Sequence, residues 1–263
     1  MLQVSVPFER DAVRQLIREQ SDGLAARLDQ LADADWRRAT PCPGWEIAHV
    51  VAHLSSGAGV QIQTLQRGLA GNTSPLYTDP AERAKLTEAK LSMPESRRAA
   101  DYRREMEALH AFFAGLTDED MACSGWHQSG VHPLPWFFIQ RLGETTMHRG
   151  DVHAALGDAF EYPEDVAARL LPLYVARLPR MALDATPALI RFGDAGLVRL
   201  GAAPEYLEAS GEAPSLSLDG DAATLLRVVV GRLHPRDALE ASRLRAEGDA
   251  SLLPRWRELF RTL

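Results

Sequence analysis

The sequence predicts an α+β chain, with a helical bundle over residues 1–162 followed by a smaller α+β domain over residues 163–263. Three observations lead there. In the first part, apolar residues recur at three- and four-residue steps, the period of amphipathic helices. Beyond about residue 184, short alternating runs bounded by Gly and Asp take over, which is the pattern of antiparallel strands. Helical spacing then returns near the C-terminus, so strands and helices share the second domain.

Each element follows from its own residues. Pro7 opens a helical pattern whose apolar side is Ala12, Val13, Leu16, Ile17, Leu24, Leu28 and Leu31. Gly23 weakens its middle, and the pattern ends near Trp36. Thr40–Trp45 is a turn fixed by Pro and Gly. It feeds a second helix with Ile47, Val50, Val51 and Leu54 as its stripe and His49 and His53 close by. The small residues Ser55–Gly59 allow another element to approach closely. Asp79-Pro80 starts a new helix, with Pro at the first helical position, and Met93-Pro94 interrupts it. A long helix runs from about Ser96 to Leu116 on Tyr102, Met106, Leu109, Phe112 and Phe113. Asp118 to Pro135 reads as a loop carrying Cys123, Trp126, His127 and His132. From Trp136 another helix begins, buried through Phe137, Phe138, Ile139 and Leu142, and it stops at Gly157-Asp158.

In the second domain, Pro163 starts a helix to about Asp184, with kinks at Pro172 and Pro179. Leu189–Gly193, Leu197–Gly201 and Ser215–Gly220 read as strands. Asp221 caps a helix extending through Leu233. A final amphipathic helix runs from Ala250 on Leu253, Trp256, Leu259 and Phe260.

Composition narrows the function classes. Of the 263 residues, 46% are hydrophobic and 25% charged, as in a globular protein with a real core. A net charge of −7 without basic blocks gives no footprint for nucleic acid. No apolar run approaches the roughly 18 residues of a membrane span. The first residues lack a charged segment followed by an apolar run, so no signal peptide is expected. Two distant cysteines, Cys42 and Cys123, suggest no disulfide framework and a reducing, cytoplasmic setting. No nucleophile elbow, phosphate loop, HExxH or CxxC motif occurs.

One stretch carries chemistry. Glu144, His148 and Asp151 stand at i, i+4 and i+7, which places them on one helix face. A carboxylate and an imidazole one turn apart are both ordinary ligands of a divalent metal such as zinc. The best third donor is His53 on the second helix, because facing helices of a bundle build metal sites inward. Such a set leaves one position of a tetrahedral ion open. Asp151 suits a partner for the second ring nitrogen of His148, and His49 suits either a supporting contact or a polar seam. The metal-free alternatives stay open: His53 as a satisfied core histidine, and Asp151 as a helix-terminal charge paired with Arg149.

The segments Pro43-Gly-Trp45, His49-Val-Val-Ala-His53-Leu, Tyr77-Thr-Asp-Pro80 and Glu144-x3-His148-x2-Asp151, with Gly220-Asp and Val230-Gly-Arg232 further on, resemble the mycothiol-dependent maleylpyruvate isomerase family. That family sits within the wider DinB-like set of four-helix-bundle metalloproteins. The resemblance implies a DinB-like bundle, a sterol-carrier-like C-terminal domain and a zinc ion held by His53, Glu144 and His148. It implies mycothiol or another low-molecular-weight thiol as cofactor, and a functional arginine at Arg232. The implied substrate is a small electrophile or unsaturated acid, isomerised from cis to trans by reversible thiolate addition. A thiol S-transferase acting on an electrophile in detoxification or biosynthesis is the enzyme alternative. A non-catalytic small-molecule binding protein is the alternative from another class.

Overall fold

The computed structural model describes residues 8–261, apart from the side chain of Pro80. Pro7, read as the opener of the first helix, lies outside the described residues. The chain divides into two compact units, one spanning Phe8–Phe160 and the other the chain from Glu161 onward.

The first unit is a helical bundle. Its helices are α1 (Arg10–Leu28), α2 (Ile47–Leu69), α3 (Pro80–Leu91) and α4 (Glu95–Ala114). After α4 comes a hairpin of β1 (Ser124–His127) and β2 (Gly130–Pro133), which leads directly into α5 (Leu134–Leu156). Helix α2 packs on α3, α4 and α5, and α1 packs on α4 and α5. The apolar spacing explains these contacts. Val13, Ile17, Leu24 and Leu28 of α1 are buried, as are Ile47, Val50, Val51, Leu54, Ala58 and Leu65 of α2. Gly157 adopts φ 77° and stops α5 in a left-handed cap.

Two expectations change here. The stretch read as a loop from Asp118 to Pro135 contains the β1–β2 hairpin, with Trp126 opposite Val131. Four-residue strands holding Gly125 and Pro133 carry too little alternation to be seen in sequence. His110, absent from the apolar side that the spacing gives this helix, is 3% exposed, and its Nε2 sits 2.7 Å from Ser21 Oγ. Burial, reinforced by the charge of Arg18, pushes its imidazolium down to about 4. The folded protein therefore keeps His110 neutral while the unfolded chain protonates near pH 6.5. Stability from this group is present above pH 6.5 and is lost as pH falls towards 4. The loss expected between pH 7 and 4 is about 3 kcal/mol. Urea unfolding of the wild type and His110→Gln at several pH values checks this, since the variant should lack that part of the pH slope.

The second unit is α+β. It contains α6 (Glu164–Val175), β3 (Ala188–Phe192), β4 (Leu197–Leu200), β5 (Glu205–Leu207), β6 (Leu216–Gly220), α7 (Ala222–Val229), α8 (Pro235–Glu240), β7 (Leu244–Gly248) and α9 (Trp256–Leu259). The sheet order is β5-β4-β3-β6-β7, with β3 and β6 parallel and the other pairs antiparallel. Helices α6 and α7 pack on each other. The Asp221 side chain accepts from the Thr224 amide at 2.6 Å and caps α7.

Here the helices are shorter than their spacing predicts. α6 ends at Val175 rather than near Asp184, and Pro179 opens a separate 3-10 turn. α7 ends at Val229 rather than at Leu233, because Gly231 turns the chain at φ 75°. The final helix is broken at Pro254, so α9 spans only four residues. Leu253, Trp256, Leu259 and Phe260 are buried all the same.

Candidate metal centre

Two helices and one turn build the site. Cys42-Pro43-Gly44-Trp45 is a β-turn, closed by the Trp45 amide bonding Cys42 O at 3.0 Å with Gly44 at φ 77°. It delivers Trp45 to the first turn of α2. The indole lies 5.1 Å from the His53 ring and 5.9 Å from the His148 ring, centroid to centroid. His53 comes from α2, and Glu144, His148 and Asp151 from α5. Their helical spacing turns all three α5 side chains inward, where His148 and Asp151 are buried.

The donor atoms converge. Glu144 Oε2 lies 3.0 Å from His53 Nε2 and 3.6 Å from His148 Nε2. In a tetrahedral site with bonds of about 2.1 Å, ligand atoms stand on the order of 3.4 Å apart. All three donors lie within 4.8 Å of one another. The side chains of His53, Glu144 and His148 are 31%, 21% and 10% exposed, so solvent reaches the cluster. Residue type, spacing and access therefore fit one divalent ion with a position left for a ligand.

Surrounding groups fix the donors. His148 Nδ1 lies 2.9 Å from Asp151 Oδ2, which leaves Nε2 facing Glu144. Gln140 Nε2 donates to Glu144 Oε1 at 3.1 Å. Burial pushes the Glu144 carboxyl up, but hydrogen bonds and charge from His148 and His53 more than offset it and hold it well below the carboxylate range. Burial pulls His148 down, yet Asp151, Cys42 and Glu144 raise it well above an ordinary imidazole. His53 is lowered, because burial outweighs its bond to Glu144.

A second group overlaps the first. Cys42, His148 and Asp151 also converge, with Cys42 Sγ 3.2 Å from Asp151 Oδ2 and 4.0 Å from His148 Nδ1. All three are buried, and their atoms already bond one another. An ion there would have to displace the bond that orients His148. An ion in the first set would replace the His53–Glu144 contact and leave the Asp151 bond that orients His148 in place.

The other candidates fall elsewhere. His49 Nδ1 accepts the Glu46 amide at 3.2 Å, closing the start of its own helix. His127 and His132 share Ser129 Oγ at 2.7 and 2.9 Å within the hairpin. Arg232 belongs to the second unit, where its guanidinium donates to Val230 O at 2.9 Å.

Comparison with known proteins shows the family and the fold. A family model described as the mycothiol maleylpyruvate isomerase N-terminal domain matches residues 17–153, just over half the chain. The chain belongs to the mycothiol maleylpyruvate isomerase family. Two crystal structures of the mycothiol-dependent maleylpyruvate isomerase, one of them a point mutant, are similar in fold to this family member. Each superposes with a TM-score of 0.71 over 91% of this chain and 93% of the other, at 14% identity for one and 13% for the mutant. YfiT from Bacillus subtilis, described as a probable metal-dependent hydrolase with an unusual four-helix bundle topology, matches at TM-score 0.50. That match has 14% identity and covers 60% of this chain and 94% of YfiT. No curated protein matches the sequence. Among the described residues of this maleylpyruvate isomerase relative, no helix is long and apolar enough to cross a membrane.

Sequence reasoning missed Cys42, Trp45 and Gln140 as neighbours of the site. Gln140 was within reach, since it precedes Glu144 by one helical turn. Cys42 and Trp45 arrive through the folded turn, which no periodicity reports. Asp151→Asn should weaken metal binding about 10- to 100-fold, because the His148 ring loses its charged partner. Competition with a chromogenic chelator measures this, and an unchanged affinity would remove Asp151 from that role.

Proposed function

We propose that this protein binds zinc through His53, Glu144 and His148 and uses a low-molecular-weight thiol, mycothiol in the first instance, to isomerise a cis-unsaturated acid of the maleylpyruvate type. The observation that carries the reading is the convergence of His53 Nε2 and His148 Nε2 on Glu144 Oε2, at 3.0 and 3.6 Å. Family membership supports the reaction class.

A zinc ion, when bound, supplies affinity for sulfur as thiolate and so lowers the pKa of the thiol. The chain does the rest. Asp151 holds His148 in one tautomer by accepting from Nδ1, and Gln140 steadies Glu144 from the other side. The Trp45 indole against His53 and His148 keeps water from one flank of the rings. The thiol sulfur forms a bond to one alkene carbon, and the π electrons move towards the conjugated carbonyl. The former double bond is then free to rotate. Elimination re-forms the alkene in the trans geometry and returns the thiol unchanged. Arg232 is assigned, on the family resemblance, to pair with charge on the substrate.

The test is product analysis with zinc-loaded protein, mycothiol and maleylpyruvate. The expected result is fumarylpyruvate formation with the thiol conserved. Stoichiometric loss of thiol would replace isomerisation by S-transfer, and no turnover of either kind by zinc-loaded protein would remove the enzyme reading.

A further inference from the structure

The inward face of α3 is unusual for a packed helix. Among the described residues of α3, none is buried. Its half-covered positions include Arg83, Thr87 and Lys90, at i, i+4 and i+7, while Leu86 is 41% exposed. The two cations of this face differ. Lys90 Nζ is paired with Asp101 at 2.9 Å and Glu105 at 2.8 Å. Arg83 has no ion-pair partner among the described residues. Its NH1 donates to Ser56 Oγ at 2.9 Å and Thr87 Oγ1 at 2.8 Å, and its NH2 donates to His53 O at 3.4 Å. Those neutral acceptors fix the guanidinium against the residue proposed as a metal ligand, without neutralising it.

A second cation lies behind it. Arg141 is 3% exposed and bonds Gln61 Oε1 at 2.8 Å and Leu54 O at 3.5 Å, again with no carboxylate in ion-pair contact among the described residues. Gly57 makes room for both. A Cβ there would stand 3.3 Å from Arg141 NH2 and 3.5 Å from Arg83 NH2. Two guanidinium groups are thus brought to one glycine, and Glu144 is the nearby carboxylate that both sense. Bringing like charges together with so little compensation is costly unless an anion joins them.

A third observation supplies a matching donor. The Tyr77 hydroxyl is buried and has no hydrogen-bond partner among the described residues. It lies within electrostatic range of Arg83, and its ring meets Trp126 edge-on at 5.8 Å. A buried hydroxyl without an acceptor is rare and costly. An unneutralised guanidinium and an unsatisfied O–H together lack one thing, an acceptor bearing negative charge.

We propose that Arg83, backed by the fixed charge of Arg141 and joined by the Tyr77 hydroxyl, binds a carboxylate of the unsaturated acid beside the metal centre. The proposal deepens the function proposed above and rests on it for the reaction that this carboxylate serves. The planar fork of Arg83 suits a carboxylate better than a point charge would. The group thereby selects acids over neutral alkenes.

Calorimetric titration of maleate into the full-length, zinc-loaded protein tests it, with zinc content and thermal midpoint measured for every variant. Arg83→Gln should weaken maleate binding about 10- to 100-fold, and Arg83→Lys should recover part of the loss. Dimethyl maleate should not distinguish Arg83→Gln from the wild type. In turnover, Arg83→Gln should raise KM for the acid far more than it changes kcat. Tyr77→Phe keeps the ring and removes only the unpartnered hydroxyl, so it serves as a second, fold-neutral variant, with weakening of about 3- to 10-fold expected.

Equal maleate affinity in the wild type and Arg83→Gln overturns the proposal, as does a wild type that binds no maleate. N-acetylcysteine binding that depends on Arg83 while maleate binding does not also overturns it, by moving the carboxylate to the thiol. The two readings fail separately. Zinc bound with maleate indifferent to Arg83 removes this proposal and leaves the metal centre. Arg83-dependent maleate binding to protein that takes up no zinc does the reverse.

Discussion

Glu144→Gln is expected to lower zinc affinity about a thousandfold, roughly 4 kcal/mol, and to remove turnover with it. Glutamine keeps the shape of the side chain, so the bundle should still fold. It takes away the negative charge that lies between His53 Nε2 and His148 Nε2. Two neutral imidazoles would then face a dication in a site that also feels the charges of Arg83 and Arg141. In so little solvent, losing one anionic ligand is worth several kcal/mol. Chelator competition gives the affinity, and steady-state assays in excess zinc give the activity. An affinity within tenfold of the wild type would mean that Glu144 is not a ligand.

Gly68→Ala is expected to destabilise the protein by about 3 kcal/mol. Gly68 lies in the last turns of α2, against β1. A Cβ on it would fall inside van der Waals contact of the Ser124 carbonyl oxygen, which is backbone and has no rotamer to yield. The hairpin cannot easily retreat. Gly125, next to Ser124, is as tightly seated, since a Cβ there would stand 3.1 Å from the Phe137 ring of α5 and 3.2 Å from Leu65 of α2. Urea unfolding measures the loss. Gly211→Ala is the control, because it meets nothing within 4 Å, and it should change stability by less than about 0.5 kcal/mol. Equal stability for the two variants would show that the hairpin is not seated on α2 as described.

These two residues also mark what a sequence can and cannot report. Helices α1, α2 and α5 were legible because burying Ile17, Leu24 and Leu28, or Val50, Val51 and Leu54, needs the three- and four-residue steps written in the chain. The convergence of Glu144, His148 and Asp151 was legible for the same reason, since residues on one helix share a face wherever the helix goes. His53 was reachable because a bundle turns such faces towards each other.

The hairpin was hidden. Its pairing depends on close approach permitted by Gly68 and Gly125, which is a property of two segments and not of either alone. Strand β7 was hidden too, because of its five residues only Leu244 is buried. The helical spacing after Ala250 was real, but Pro254 removed an amide that a continuous helix requires. Arg83, Arg141 and Tyr77 could not be placed from sequence. A buried or unpaired charge is defined by what surrounds it after folding, and the periodicity of α3 carries no sign that its inner face is polar.

The most direct measurement is a crystal structure of the zinc-loaded protein with anomalous data collected at the zinc edge. The expected result is one peak bonded at about 2.0–2.2 Å to His53 Nε2, a Glu144 oxygen and His148 Nε2, with Cys42 still bonded to Asp151. A peak on Cys42, His148 Nδ1 and Asp151, or no peak in the bundle at full zinc occupancy in solution, would contradict it.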